Sequence, residues 1–356
     1  YEYFIRHSAG LGKSPTLKDP DIYDHRNIHC DVLVVGAGIS GILAAKNAAK
    51  NNYKTLLLDE KNELGGSTIY EINESNKIDN KISSEWLKKE IEELKNIKNL
   101  EIKTRTSVAA YHQYNYLLAR ENLTDHLEKK DKTNKIRQRL LKIRAKKVIL
   151  ATGALERPMV FNNNDRPGIM LSSAIKKYSD FYGVACGRKI IFFTNNDSAY
   201  ESALSLNDKG IKVEAVVDIR KQSETNLEKR VIDAGIKIYW EHTVVDTSGY
   251  KRLNNVSIMK LSNDGTSVTG NKISISCDCL GVAGGWTPAV HLYTQSGNKL
   301  TFDEDKKIFI PNKNNSDQIS VGSCCGYFKL DEILKNLNEK LKDFLDINKT
   351  DFENIT

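Results

Sequence analysis

No apolar run in the chain approaches the roughly 18 residues that a membrane-spanning helix needs, so no membrane partner is expected. The basic and apolar regions of a secretory signal are missing too, and the chain opens on Tyr1 rather than Met, so residues upstream are expected to be absent. The six cysteines form no C-x-x-C and stand at no zinc-finger spacing to a histidine. Cys277 and Cys279 make one close pair and Cys324 and Cys325 the other, while Cys30 and Cys186 stand alone. This argues against a disulfide framework, a redox dithiol and a metal site, and leaves buried thiols in a reducing, cytoplasmic compartment as the expectation. The seven histidines (His7, His25, His29, His112, His126, His242 and His291) are scattered. No Ser-His-Asp or Cys-His arrangement has a helpful local spacing, so no catalytic residue is assigned within this chain. The net charge of +7 is spread along the chain with acids interleaved, which reads as a solvated surface and not as a nucleic-acid site.

A length of 356 residues, 40% hydrophobic and 28% charged, is ordinary globular usage and exceeds one usual core, so two domains are expected. Residues 31 to 66 carry the strongest signal. Val32 to Val35 is a β-branched and leucine run suited to a buried parallel strand, Gly36, Gly38 and Gly41 form G-x-G-x-x-G, and Ile42 to Lys50 is alanine-rich and helix-forming. Gly36 allows a tight turn, Gly38 leaves room for a pyrophosphate, and Gly41 lets the helix lie close to the sheet. The helix N-terminus supplies N–H groups and positive dipole for phosphate oxygens. A second strand, Thr55 to Leu58, ends in Asp59, 18 residues beyond Gly41, where a carboxylate can accept both hydroxyls of an adenosine ribose and disfavours a 2′-phosphate. Gly65-Gly66 follows. The strand, turn, helix and terminal acid agree on a dinucleotide site, and the same fingerprint serves FAD and NAD.

Ser83 to Asn96 has the pattern of a capped helix, with Trp86, Leu87, Ile91 and Leu94 at helical spacing. Strands are expected over Glu101 to Arg105, Val108 to Tyr116, Leu117 to Glu121 and Gln138 to Arg144, with Leu127 to Lys135 as a solvated turn. Lys147 to Gly153 (K-V-I-L-A-T-G) reads as a separate apolar strand ending in small residues, where the chain passes close under a nucleotide. A second βαβ unit starts at Arg188 to Thr194, with a helix from Ala199 to Lys209 and a strand from Val213 to Val217 ending in Asp218. Here the glycine turn is replaced by Asn195-Asn196-Asp197-Ser198, whose side chains take the space of a pyrophosphate and whose Asp197 repels it. This unit is expected to be degenerate. A strand from Ile236 to Trp240 and meander strands to Ile275 complete it, and Cys277 to Ala283 leads back. Ile319 to Leu330 reads as a closing strand and turn before a helix, and beyond Leu345 the sequence is mostly polar with no core-forming element expected.

Four stretches identify a family: Y-E-Y-F-I-R-H-S-A-G-L-G at 1 to 12, A-T-G-A-L-E-R-P-M-V-F-N-N-N-D-R-P-G at 151 to 168, T-N-N-D-S-A-Y at 194 to 200 and G-G-W-T-P-A-V-H-L at 284 to 292. Residues 1 to about 340 resemble the dinucleotide-binding part of the alpha subunits of heterotetrameric sarcosine oxidases and of their amine and proline dehydrogenase relatives. The resemblance implies an α/β chain of two Rossmann-like domains of the pyridine nucleotide-disulfide reductase kind, the second degenerate. An N-terminal extension would occupy 1–29, the NAD-binding domain 30–184 plus 284–340, the inserted degenerate domain 185–283 and a junction 341–356. It further implies that the alpha subunit binds NAD, that a beta subunit carries FAD and oxidises the amine, that FMN lies between alpha and beta, and that gamma and delta subunits complete the complex. A carboxy-terminal folate-binding part of alpha, and most of the small amino-terminal domain, are absent from this sequence. The implied activity is oxidative demethylation of sarcosine to glycine with O2 as acceptor. A subunit of a related proline, opine or other secondary-amine dehydrogenase and a standalone NAD(P)H-dependent flavin oxidoreductase are the alternatives.

Carried over residue by residue, the resemblance implies an NAD pocket of Gly36, Gly38 and Gly41, with Ser40 beside the pyrophosphate, Asp59 and Glu60 at the ribose, and Lys61 on the adenine side. Ser67 follows the glycine pair, Val108 closes over the adenine, and Ser323, Phe328 and Leu330 stand at the closing turn. Ser40 and Ser323 occupy positions where alanine is usual. Trp286, Pro288 and His291 are read either as a wall of the flavin interface or as an interdomain filler (Trp286) and a helix cap (His291).

Overall fold

Residues 1–12, 15–70, 77–78, 81–132, 135–312 and 315–352 are described by the computed structural model. Strand β1 (Ile22–Val35) runs into the glycine turn, helix α1 (Ile39–Lys50) follows, and β2 (Thr55–Leu58) pairs parallel to the end of β1. Val32, Leu33 and Val34 are fully buried, as are Ala44, Ala45 and Ala48 on α1. The alanines carry no bulk, so the helix lies close against the sheet. Each fully buried leucine or valine here contributes roughly 1.5–3 kcal/mol relative to exposure.

Helix α2 (Ser83–Lys95) packs beside α1, pinned by the buried Lys46 ammonium, which donates to Glu90 and Glu93 at 2.6 Å each. Then come β3 (Leu100–Lys103), β4 (Thr106–His112), β5 (Tyr116–Asn122) and β6 (Ile136–Leu150). The sheet order is β3-β2-β1-β6-β5-β4, parallel from β3 to β6 and antiparallel across β6-β5-β4.

Beyond Leu150 the chain crosses to a second unit. A five-stranded parallel sheet has the order β7-β14-β8-β9-β10, from β7 (Ile169–Leu171), β8 (Ile190–Thr194), β9 (Val213–Asp218), β10 (Lys237–Trp240) and β14 (Cys279–Ala283). Helices α3 (Ser172–Asp180), α4 (Ser198–Asn207) and α5 (Asn226–Asp233) accompany it. The antiparallel meander β11 (His242–Ser248), β12 (Asn255–Leu261) and β13 (Val268–Ser276) forms a separate sheet. The chain then returns. β15 (Gln318–Ser320) pairs with the end of β6 as the seventh strand of the first sheet, and α6 (Leu330–Leu345) packs into the α1 core.

Outgoing and returning segments are tied together. Ala154–Glu156 pairs antiparallel with Trp286–Pro288. The Thr152 hydroxyl donates to Ala289 O at 2.6 Å, Ala289 N to Gly153 O at 2.9 Å, and Gly284 N to Arg157 O at 2.7 Å. At Gly284 an added Cβ would come within 2.8 Å of Arg157 O, so the glycine is required by close backbone approach.

Three expectations need correction. Gln138–Arg144 and Lys147–Leu150 are not two strands but the outer and inner halves of the 15-residue β6. The outer half pairs with β5 and with a polar extension of β1, and the inner half lies between β1 and β15. Likewise β1 begins at Ile22 and not at the apolar run. The tail beyond Leu345 does reach the core, since Phe352 is 3% exposed and packs with Phe344 and Leu345. Among the described residues no helix is long and apolar enough to cross a membrane.

Candidate dinucleotide site

The glycine loop is shaped by backbone contacts on nearly every side. Gly36 has φ +96°, and a Cβ there would collide with the Ala151 carbonyl, so β6 passes directly beneath the turn. A Cβ on Gly41 would collide with the Gly36 carbonyl oxygen, which is why α1 can start so close to β1. Gly38 differs from both, because a Cβ there would meet nothing within 4 Å. Its freedom is not demanded by the protein around it. The space faces the start of α1, where the first helical bond runs from Ile42 N to Gly38 O and the amides of Ile39, Ser40 and Gly41 precede it. Behind Gly38 stands the glycine pair: Gly65 N donates to Ala37 O at 2.7 Å, and a Cβ on Gly66 would lie 3.0 Å from Gly38 Cα. A bare, backed backbone at a helix start fits a pyrophosphate.

Asp59 is the side chain that holds the loop. Its Oδ2 accepts from Ala37 N at 2.6 Å and its Oδ1 from Lys61 N at 2.8 Å. Its own backbone is clamped between β3 and β4, donating to Lys103 O at 3.0 Å and accepting from Thr106 N at 2.8 Å. A carboxylate offers about four acceptor positions, so two backbone bonds leave capacity for two ribose hydroxyls. The loop-pinning role was not read from the sequence, and no local pattern announces it.

The other anticipated residues divide. Ser40 is buried at 7% exposure, and a Cβ on Gly322 would collide with its Oγ, so Ser40 is where the closing turn presses on the loop. Ser323 is half-buried in that turn, a single 3-10 turn over Gly322–Cys325. Ser67, directly after the glycine pair, is exposed, as are Glu60 and Lys61 beyond β2. Val108 is half-buried on β4 and packs against the core on the far side of β1 and β2. Leu330 packs toward the α1 core and Phe328 is 39% exposed. Leu330 thus joins the core cluster that also holds Ala37 and Ile39 of the loop. Pro288 is buried, Trp286 half-buried and His291 exposed at the first position of a short helix, where Val290 is the cap.

The second unit carries the same plan with different occupants. Asn196, not Asp197, caps the turn: its Oδ1 accepts from Ser198 N at 3.1 Å and its amide donates to Ala283 O at 3.0 Å. Asp197 instead pairs with Arg220 at 2.8 Å. Asp218, 1% exposed, accepts from the Tyr200 phenol at 2.8 Å and from the Arg220 backbone and guanidinium, the shortest at 2.8 Å. Burial, reinforced by Asp218, pushes the Tyr200 phenol well above its ordinary range, so it stays a donor. The acid at the strand end is thus satisfied internally.

A model of the family described as pyridine nucleotide-disulphide oxidoreductase matches residues 30–320. The chain is 38% identical, over 90% of its length and 33% of the relative's, to sarcosine oxidase subunit alpha of Corynebacterium sp. (strain P-1). It spans about a third of the curated relatives it matches. Among solved structures, thioredoxin reductase of T. acidophilum superposes with a TM-score of 0.66 at 19% identity, covering 89% of this chain and 98% of that one. L-proline dehydrogenase from P. horikoshii superposes with a TM-score of 0.63 at 21% identity, covering 90% of this chain and 57% of that one. These likenesses show the two-unit fold.

Proposed function

The chain belongs to the pyridine nucleotide-disulphide oxidoreductase family, and on that premise we propose that it is the NAD-binding part of the alpha subunit of a sarcosine oxidase. The observation that carries this reading is the pairing of one open glycine loop with one internally filled counterpart, in a chain whose sequence follows a named alpha subunit over 90% of its length. A reductase that passed hydride between two dinucleotides would need both loops.

In this reading Gly36, Gly38 and Gly41 bring bare backbone to the pyrophosphate, with Ser40 setting the distance to the closing turn. Asp59 holds the loop and offers its remaining lone pairs to the ribose, while Glu60, Lys61, Ser67 and Val108 line the adenosine side. Ser323, Phe328 and Leu330 belong to the closing segment. Bound there, a nicotinamide dinucleotide would bring a ring able to carry hydride, and no step of the amine oxidation is routed through it. No side chain here is assigned a bond-breaking role, since removal of hydride from an N-methyl amine needs an electron acceptor beside the substrate. That step, with FAD, is placed in a beta subunit, with FMN between alpha and beta and gamma and delta completing a cytoplasmic complex. The overall reaction takes sarcosine to glycine with O2 as acceptor.

Nucleotide released from the purified chain by denaturation and separated by chromatography tests the reading. NAD in near-equal ratio to protein is expected, and a stoichiometric FAD peak would overturn the assignment. Hydrogen peroxide from sarcosine should be absent for this chain with free FAD and FMN. Turnover without a partner would sink the subunit reading.

A further inference from the structure

β1 outruns its neighbour β2, which pairs only with Val32–Val35. The outer stretch Ile22–Cys30 therefore has β6 on one side and, among the described residues, no strand on the other. It presents an open edge of backbone N–H and C=O groups about 26 Å long, at roughly 3.3 Å per residue. The register of β1, β6, β5 and β4 sorts their side chains onto two faces. Leu117, Ala119, Leu141 and Ile143 are fully buried on the inner face, and the acids go with them. Asp24 and Glu121 both accept from Arg139, at 2.8 and 3.2 Å. Over the rows from Tyr23 to His29 the opposite face carries His25, His29, His112, Arg120, Lys142 and Arg144, and no acid of these strands. On it the Arg144 guanidinium lies 4.7 Å from the centre of the Tyr116 ring, and Leu140 is 41% exposed. Where the edge meets β2 and β3 there is a cavity of about 190 Å³, with the exposed Lys54 and Lys98 among its walls. Its one acid, Glu101, is held by Lys103 at 3.2 Å.

We propose that the outer edge of β1 is a docking site for an extended acidic segment of a partner protein, which adds to the sheet as a further strand. The backbone of that segment pairs with the free groups of Ile22–Cys30, and its carboxylates lie over the cationic face. An acidic side chain or terminus enters the cavity beside Lys54 and Lys98. An open strand edge alternates donors with acceptors, and a polypeptide backbone answers both. A phosphate backbone supplies acceptors alone. A second copy of this chain is a poor occupant, because edge-to-edge pairing would set one cationic face beside another. The edge lies at the start of β1 and the glycine loop follows its end, so docking leaves the dinucleotide site open.

The test adds a fluorescein-labelled peptide of alternating glutamate and valine, about ten residues long, to the full chain and follows its anisotropy. Binding is expected, and Kd should rise about tenfold or more as sodium chloride goes from about 0.05 M to about 0.5 M. The same peptide N-methylated along its backbone, or carrying lysine in place of glutamate, should not bind. Deuterium exchange read by mass should slow over Ile22–Cys30 and stay unchanged over Gly36–Gly41. Lys142→Glu with Arg144→Glu should weaken binding about tenfold, and so should Lys54→Glu with Lys98→Glu, which alters only exposed side chains. Failure of the acidic peptide to bind overturns the proposal, as does equal binding of the N-methylated form or protection away from β1. A single-stranded oligonucleotide that binds and slows exchange over Ile22–Cys30 where the peptide does not would also overturn it, assigning the face to nucleic acid. The salt series, the N-methylated peptide and the exchange map use the unaltered chain, so they decide the matter even where a variant does not fold.

Discussion

Counted from the ends of their first strands, the two nucleotide-type units align position by position, and the difference between them lies in a handful of side chains. Val35 corresponds to Thr194, Gly38 to Asp197 and Gly41 to Tyr200, while Asp59 and Asp218 end the second strands. Both acids accept from the amide two residues on, Lys61 at 2.8 Å and Arg220 at 2.8 Å. Their other oxygens part ways. Asp59 reaches the loop backbone at Ala37, whereas Asp218 receives the phenol of Tyr200. Where Gly41 lets the helix press on the strand, Tyr200 fills the same station with a ring and spends the acid on itself. The scaffold is shared, and the units differ in what stands at the glycine positions and in what the strand-end acid accepts from.

If Tyr200 is the filler of the second unit, removing it should be the most costly change of this set. Tyr200→Ala empties a fully buried site and takes the phenol donor from Asp218, so a loss of about 3–5 kcal/mol is expected in urea unfolding. A loss under about 1 kcal/mol would mean that the second unit is open after all. The mirror change is Gly41→Ala. Its Cβ would collide with the Gly36 carbonyl, a backbone atom that cannot swing aside, and overpacking of this kind costs about 3 kcal/mol. An unchanged unfolding midpoint would show that α1 is not held as close as the geometry implies.

The plan of each unit was legible in the sequence because strand, turn, helix and acid follow within a few dozen residues and each local signal has one structural meaning. Less legible was anything set by distant partners. The outer half of β6 ends in an alternation of apolar and charged residues, Leu141, Lys142, Ile143 and Arg144, and Ala145-Lys146-Lys147 reads as a break. It is continuous because β1 and β5 pair with it on either side. The press of Gly322 on Ser40 joins residues from opposite ends of the chain, and the burial of Phe352 depends on the α1 and α6 core that no tail sequence displays. Tyr200 stood within a stretch singled out for its asparagines and acid, but its aim at Asp218 requires the second strand to be in place.

A smaller effect separates loop-holding from ligand-holding at Asp59. Asp59→Ala should weaken NAD retention by about one to two decades, or roughly 1.5–3 kcal/mol, through loss of a charged acceptor. The fold should persist, because Asp59 is only half-buried and β2 stays paired with β1 and β3 through backbone bonds. Dialysis followed by nucleotide quantification measures the first effect and circular dichroism the second. Undiminished retention would remove the ribose from Asp59.

The smallest effect is expected where the second loop is made to resemble the first. Asn195→Gly and Asp197→Gly remove side chains from the positions a pyrophosphate would need, yet neither change opens the unit. Tyr200 still occupies the station of Gly41, and Arg220 still covers Asp218 with its guanidinium at 2.8 Å. Losing the Asp197–Arg220 pair, whose side chains are 59% and 37% exposed, costs about 0–1 kcal/mol. Arg220 keeps its buried partner at Asp218 after that loss. Retention of NAD should therefore match the unaltered chain in both variants, measured by the same dialysis. A drop equal to that of Asp59→Ala would place the nucleotide in the second unit. A gain of a second bound equivalent would show that two side chains alone had kept that unit empty, and that Tyr200 is not the barrier.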